Sequence, residues 1–351
     1  MSRWSRRMRR LGAALALGAV TAAPGCAAPG TSLESAPEVA LWHVGATLRQ
    51  PVWSYRTHAL VAITDDNRLA AVTAGARPGD ANTRLSAPMP VGRNLQISQK
   101  DDRIVFVPQP QRGKVAAVDL ESLRQTADFD AGPAPAYLAE DAGMRILLAL
   151  SADGTAVTPV DQYGLRKLPT APIGEAPADS IDGANRGRKI DYHVYAPSGI
   201  RYYEGFSSPP QQRGSLGMDV AVSAGDGAAD TRNYVAGHDS STLYAVDSRR
   251  GGRGMLILAS ARLPSPIREV GTDDTRIYAA TDHEIVTLEA NSFTGFPDQT
   301  IPVIRVTNYR SALPGGAAQS ARPSGMAIGP HRIYLTLADT PYVVSVAKPH
   351  L

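Results

Sequence analysis

Four side chains in two short polar stretches have the types needed for chemistry: His238 and Asp239, and Asp282 and His283. Two imidazoles and two carboxylates meeting at one point would suit Zn2+ or a similar ion, which takes nitrogen and oxygen donors. The same residues also occupy turns for backbone reasons alone, capping amides or tolerating positive φ. Both readings stand at this level. The chain has no HxH, no HExxH and no His-rich tract, so it encodes no recognisable metal-transport motif. Four arginines, Arg49, Arg93, Arg268 and Arg322, precede or begin apolar runs. Guanidinium forks at a channel mouth would hold a carboxylate or phosphate; on an open surface they would simply be solvated. Asp65, Asp66, residues 109–112, Asp153, Ser198 and Asp339 fall in comparable turns, and Asn94 and Glu269 in comparable lead-in positions. Other templates fail. No GxSxG nucleophile elbow occurs, residues 187–189 lack phosphate-loop spacing, and residues 226–230 are too short for an EF-hand loop.

These positions recur because the chain repeats. Val118-Asp119 and Val160-Asp161 are 42 residues apart, Val246-Asp247 lies 86 further on, and Leu288-Glu289 follows 42 beyond that. Paired apolar runs joined by short turns occur seven times: 59–63 with 69–73, 103–107 with 115–119, 145–150 with 155–161, 189–195 with 200–204, 233–236 with 242–247, 276–280 with 284–288, and 332–337 with 342–346. Each is rich in Val, Ile, Tyr and Thr and bounded by Gly, Asp, Asn, Pro or Ser, which is the pattern of antiparallel hairpins. Proline-bearing loops precede most of the pairs. A four-stranded unit repeated every 40–45 residues predicts the blades of a β-propeller, here an all-β, seven-bladed one with antiparallel blades.

The segments Asn233-Tyr234-Val235-Ala236-Gly237-His238, Thr242-Leu243-Tyr244-Ala245-Val246-Asp247 and Arg276-Ile277-Tyr278-Ala279-Ala280 resemble the repeat of the YVTN family of bacterial seven-bladed propellers. That resemblance spans residues 40–351 and implies the fold. It implies little about activity, because propellers host lyases, lactonases, receptors and scaffolds alike. The seventh hairpin ends at Val346 with little chain left for an outer strand, while residues 38–44 (EVALWHV) form an orphan strand ahead of the first hairpin. That strand is expected to complete the last blade and remove two exposed edges, with Trp42 and Trp53 packing at the seam. Residues 206–217 and 308–323 read as irregular loops beyond the blade norm, and residues 291–302, with Phe293 and Phe296, as the outer strand of blade six, either packed or forming an exposed aromatic patch.

The amino terminus carries an address. Residues 1–25 read as a signal peptide, with five arginines in the first ten positions and an apolar run over 11–23 that is too short to span a bilayer. The single cysteine follows at once, and Ala23-Pro24-Gly25-Cys26 resembles the lipobox of bacterial lipoproteins, which implies lipidation of Cys26. Ordinary secretory cleavage is the alternative, and Ser5-Arg6-Arg7 leaves twin-arginine export open beside the general route. Residues 26–37 form a small, polar, proline-bearing tether, and residues 38–351 the propeller domain.

Charge narrows the function. The whole chain carries 36 Lys+Arg against 33 Asp+Glu, net +3; without the leader it carries 31 against 33. A near-neutral domain has no basic face for nucleic acid, so that partner class is excluded. With one cysteine there is no intrachain disulfide. The expected protein is an extracytoplasmic bacterial lipoprotein held to the cell membrane by its lipid, or secreted if the cysteine is not lipidated. It would act as a non-catalytic platform for an envelope protein, glycan or small ligand, and no cofactor is expected. The alternatives are a propeller-type lactonase or lyase, and a metal-binding accessory protein of a transporter.

Overall fold

The computed structural model describes residues 37–349, apart from 76–79, 175, 207–208 and 249–253. The leader, Cys26 and nearly all of the tether lie outside the described residues. The described chain forms seven antiparallel sheets of four principal strands, arranged as the blades of a propeller. The first strand, β1 (Val39–His43), precedes blade one, which runs β2 (Leu48–Ser54), β3 (Ala59–Thr64), β4 (Leu69–Ala74) and β5 (Ala81–Leu85). Blade two begins with the short Gln96–Ile97, blade three with Pro135–Asp141, blade four with Ser180–Gly183, blade five with Val222–Gly225, blade six with Ile267–Thr272 and blade seven with Pro323–Ile328. These innermost strands surround the axis.

The second and third strands of each blade are largely buried on both faces, which explains why the hairpins read as continuous apolar runs rather than strict alternation. Side chains still alternate between faces. In β3, Leu60 and Ala62 pack with Tyr334 and Val343 of blade seven, while Val61 and Ile63 pack with Val105 and Val107 of blade two. The described residues hold one such cluster between every neighbouring pair of blades, so the core is a ring of seven interfaces and not one central mass.

The ring closes as the orphan strand implied. β1 pairs antiparallel with Tyr342–Ala347, with Val39 opposite Val346 and His43 opposite Tyr342, and so supplies the outer strand of blade seven. Trp42 and Trp53 are both buried at this seam with Leu48, Ala327 and Tyr334. Close approach between blades seven and one requires a residue without a side chain at Gly325, where a Cβ would collide with the Pro51 ring.

Two expectations are corrected. Residues 211–216 are not loop: Gln211–Leu216 pairs with Gly199–Gly205 as the fourth strand of blade four. Its glutamines and arginine face solvent, so the run lacks the apolar signature of an inner strand. In blade six the outer strand is Val303–Asn308, and residues 291–302 form the connection before it. That connection lies against the outer edge of blade five, where Ser260 bridges Thr300, and it separates the two phenylalanines. Phe296 is 6 % exposed in the core between blades five and six, and Phe293 is 81 % exposed. Residues 308–323 are an ordered crossover carrying two short turns of helix.

Candidate functional site

The loops leading into the innermost strands and the turns joining second to third strands share one face of the ring. Several innermost strands start there with a β-bulge: between Arg49 and Val52, Pro135 and Tyr137, Ile267 and Glu269, and Pro323 and Gly325. A bulge re-aims a side chain relative to regular pairing. Arg268 is such an extra residue, and its guanidinium links blades five and six. Its Nη1 donates to Asp239 Oδ1 at 2.7 Å, and Nε and Nη2 donate to Asp282 Oδ2 at 3.2 and 3.0 Å. The Arg268 hydrogen bond holds the Asp239 carboxyl below its usual range, and Arg268 is itself held further toward the charged form by Asp282 and Asp239.

Of the four residues grouped by sequence, the two carboxylates thus meet at an arginine. His238 turns to Asp219, which the sequence reading did not single out: its Nδ1 lies 2.7 Å from Asp219 Oδ1, and its amide donates to Oδ2 at 2.6 Å. These bonds lower the Asp219 carboxyl. The His283 amide donates to Thr281 Oγ1, and its carbonyl accepts from the Arg310 amide. Among the described residues no group of three or more His, Cys, Asp or Glu side chains is placed to hold a metal ion.

The other arginines divide in two. Arg93 is a fastener: Nη1 donates to the Asp179 carbonyl at 2.9 Å and Nη2 to the Ala152 carbonyl at 3.4 Å, tying the loops of blades two, three and four. Asn94 beside it is buried and exchanges two hydrogen bonds with the Leu138 backbone. Arg49 and Arg322, by contrast, make no side-chain hydrogen bond or ion pair with a described residue. They are neighbours across the seam, since the Ser324 hydroxyl donates to the Leu48 carbonyl at 3.0 Å. The Arg322 charge also contributes to lowering Asp239. Asp66 and Asp153 serve their own turns, accepting from Thr64 and from Ser151 and Thr155. Asp339 takes a left-handed φ of 57°.

Arg310 and the axial carboxyls Glu140 and Asp182 were also missed by the sequence reading, which had placed Glu269 among the lead-in residues. Arg310 is buried and donates from Nε to the Asp282 carbonyl at 2.6 Å and from Nη1 to the Ala318 carbonyl at 3.0 Å. The axial channel widens into a cavity of about 350 Å³ lined by Tyr137, Glu140, Asp182 and Ser223 among others. Neither His238 nor His283 lines it. Asp182 accepts from the Ser223 hydroxyl at 2.6 Å, and burial raises its carboxyl. Burial pushes Glu140 up to about 7, against amide donation from Gln162 and Gln96. Glu269, on the innermost strand of blade six, is raised to about 7 by burial alone. Glu140 and Asp182 interrupt strand patterns without any motif of their own, so no local signal marks them.

Comparison with known proteins bears on the fold. No family model matches the chain, and no curated protein matches it. Solved propellers do. A chain of a mitotic checkpoint complex is similar at a TM-score of 0.64 and 12% identity, covering 98% of this chain and 100% of that one. U3-55K is similar at 0.64 and 10%, covering 89% and 98%. The WD40 repeats of RRP9 are similar at 0.63 and 9%, covering 90% and 99%. At these identities the likeness establishes a seven-bladed β-propeller with WD40-like structural neighbours.

Proposed function

We propose that this protein is a lipid-anchored envelope propeller of YVTN type, acting as a non-catalytic platform that binds an anionic group of a protein, glycan or small ligand. The face that binds is the one carrying the lead-in loops. The observation that carries this reading is that two arginines on adjoining lead-in segments, Arg49 and Arg322, have no partner among the described residues while Arg93 and Arg268 are used to fasten loops. Folding has not consumed them, and guanidinium forks match carboxylate and phosphate oxygens. WD40 propellers are known as interaction scaffolds, which is a fold-level analogy and sets the class, not the partner. The anchor rests on the lone Cys26 after its apolar leader.

Two measurements test the two halves. Intact mass of protein extracted from membranes should show a diacylated Cys26 at the mature amino terminus; an unmodified mass beginning elsewhere overturns the anchor. A photoreactive residue placed at Asp65, on the binding face, should give an adduct in the envelope that one at Tyr163, on the opposite face, does not. Charge reversal of Arg49 and Arg322 together should remove that adduct. Equal adducts from both faces, or survival through the charge reversal, would sink the platform reading.

A further inference from the structure

On the opposite face, where the turns joining first to second strands lie, the axis opens into a second cavity of about 460 Å³. Pro51, Val52, Ile97, Met326, Ala327 and Ile328 give it an apolar wall, and Tyr55, 54 % exposed, stands at its mouth. Asp102 and Glu140 contribute carboxyls from two different blades, and no Lys, Arg or His lines the wall. Neither carboxyl has an ion-pair partner among the described residues. Asp102 Oδ2 accepts the Tyr55 amide at 2.8 Å, but Oδ1 is buried and has no hydrogen-bond partner among the described residues. Among the described residues Glu140 is hydrogen-bonded by neutral amides, Gln162 at 2.6 Å and Gln96 at 3.1 Å. Trp53 belongs to the same wall, is 5 % exposed, and has an indole N–H without a hydrogen-bond partner among the described residues.

Buried polar atoms are almost always paired, and Asp102 Oδ1, an unpaired acceptor in the cavity wall, calls for a donor. Buried carboxyls without a counter-charge are costly unless a cation joins them or they are neutralised, and burial accordingly raises both Asp102 and Glu140. An inorganic cation would find no group of three or more His, Cys, Asp or Glu side chains to hold it among the described residues. It would also leave the apolar wall uncovered. An anion would meet carboxyls and no positive charge.

We propose that this cavity binds a small organic cation, a primary amine on an apolar body, with the ammonium between Asp102 and Glu140 and the body against Val52, Ile97 and Met326. The site is separate from the arginine rim and independent of the platform reading. Its residues arise from blades one, two, three and seven, so it exists only in the closed ring.

Titration calorimetry on the full chain tests it, with phenethylamine as probe and 3-phenylpropionate as the same body with opposite charge. The amine should bind, and the carboxylate should bind at least about tenfold more weakly. Asp102→Asn should weaken the amine about tenfold by removing the charge-assisted hydrogen bond. Gln99→Trp, an exposed change in the cavity wall that gives up one side-chain hydrogen bond to the Ala142 carbonyl of blade three, should block binding even if the Asp102 variant fails to fold. Asp66→Asn, on the other face, should bind as the wild type does. The proposal is overturned if the wild type releases no heat with phenethylamine, if the carboxylate binds as well as the amine, or if Gln99→Trp binds normally.

Discussion

The indole of Trp53 stacks on the phenol ring of Tyr334, with centroids 4.8 Å apart and planes within 4° of parallel. One ring belongs to the first blade and the other to the seventh, so this contact spans the point where the chain must close on itself. Trp53→Ala should therefore cost about 3–5 kcal/mol, the usual penalty for deleting a buried aromatic. Trp53→Phe should keep most of that stability. Urea unfolding of the two variants checks this, and equal losses would show that the flat stack contributes little.

Arg332 fastens the same seam from within. It is 2 % exposed, and its guanidinium donates to the Ser345 hydroxyl and carbonyl and to the Pro37 carbonyl at 2.6 Å, just ahead of β1. Arg332→Met keeps the volume but strands these acceptors, at a cost of about 1–3 kcal/mol. Hydrogen exchange should accelerate in Val39–His43 and Tyr342–Ala347 before it does in the other blades. A uniform rise across all seven blades would contradict this.

Arg268 and the two unpartnered arginines should separate cleanly. The Arg268 to Asp282 pair is largely shielded from solvent, so Arg268→Ala should lower stability by about 1–2 kcal/mol. Asp239 is exposed, and its replacement by Asn should leave the melting temperature almost unchanged. Arg49→Ala and Arg322→Ala should fall within about 0.5 kcal/mol of the wild type, as surface residues without partners do. Thermal melts of the four variants decide it.

Glu269 makes stability depend on pH in a predictable direction. Burial raises its carboxyl to about 7 in the folded chain, so the native state holds its proton more tightly than the unfolded state. The stabilisation is complete below the ordinary carboxyl range and is lost as pH rises through about 7. Because the residue is only partly shielded from solvent, the loss should be about 1–2 kcal/mol. Glu269→Gln should melt with the wild type near pH 4 and above it near pH 8. Melting below the wild type at the higher pH would show that the ionised carboxylate is stabilised instead.

Blade number, hairpin positions and ring closure were legible in the linear chain because each depends on local signals repeated many times. Apolar runs of strand length, turn residues between them and the 42-residue spacing of Val118-Asp119 and Val160-Asp161 all report on contacts within one hairpin. Closure by residues 38–44 was legible for a similar reason, as an unpaired strand pattern at one end and a three-strand unit at the other. Polar strands were harder to read. Gln211–Leu216 looked like loop, since an outer strand facing solvent needs no apolar residues.

Which side chains meet was decided by the tertiary structure alone. Asp239 and Asp282 are 43 positions apart and were grouped with two histidines by their turns, yet a single bulged residue, Arg268, places a guanidinium between them. Arg49, Arg93, Arg268 and Arg322 occupy similar positions in the repeat, but two are spent on loop contacts and two are not. Asp102, Glu140 and Trp53 come from three blades and share a cavity that no stretch of sequence contains. Sequence periodicity specifies how each blade pairs with itself. The axis is made where seven blades meet, and its chemistry depends on distances between residues that only ring closure brings together.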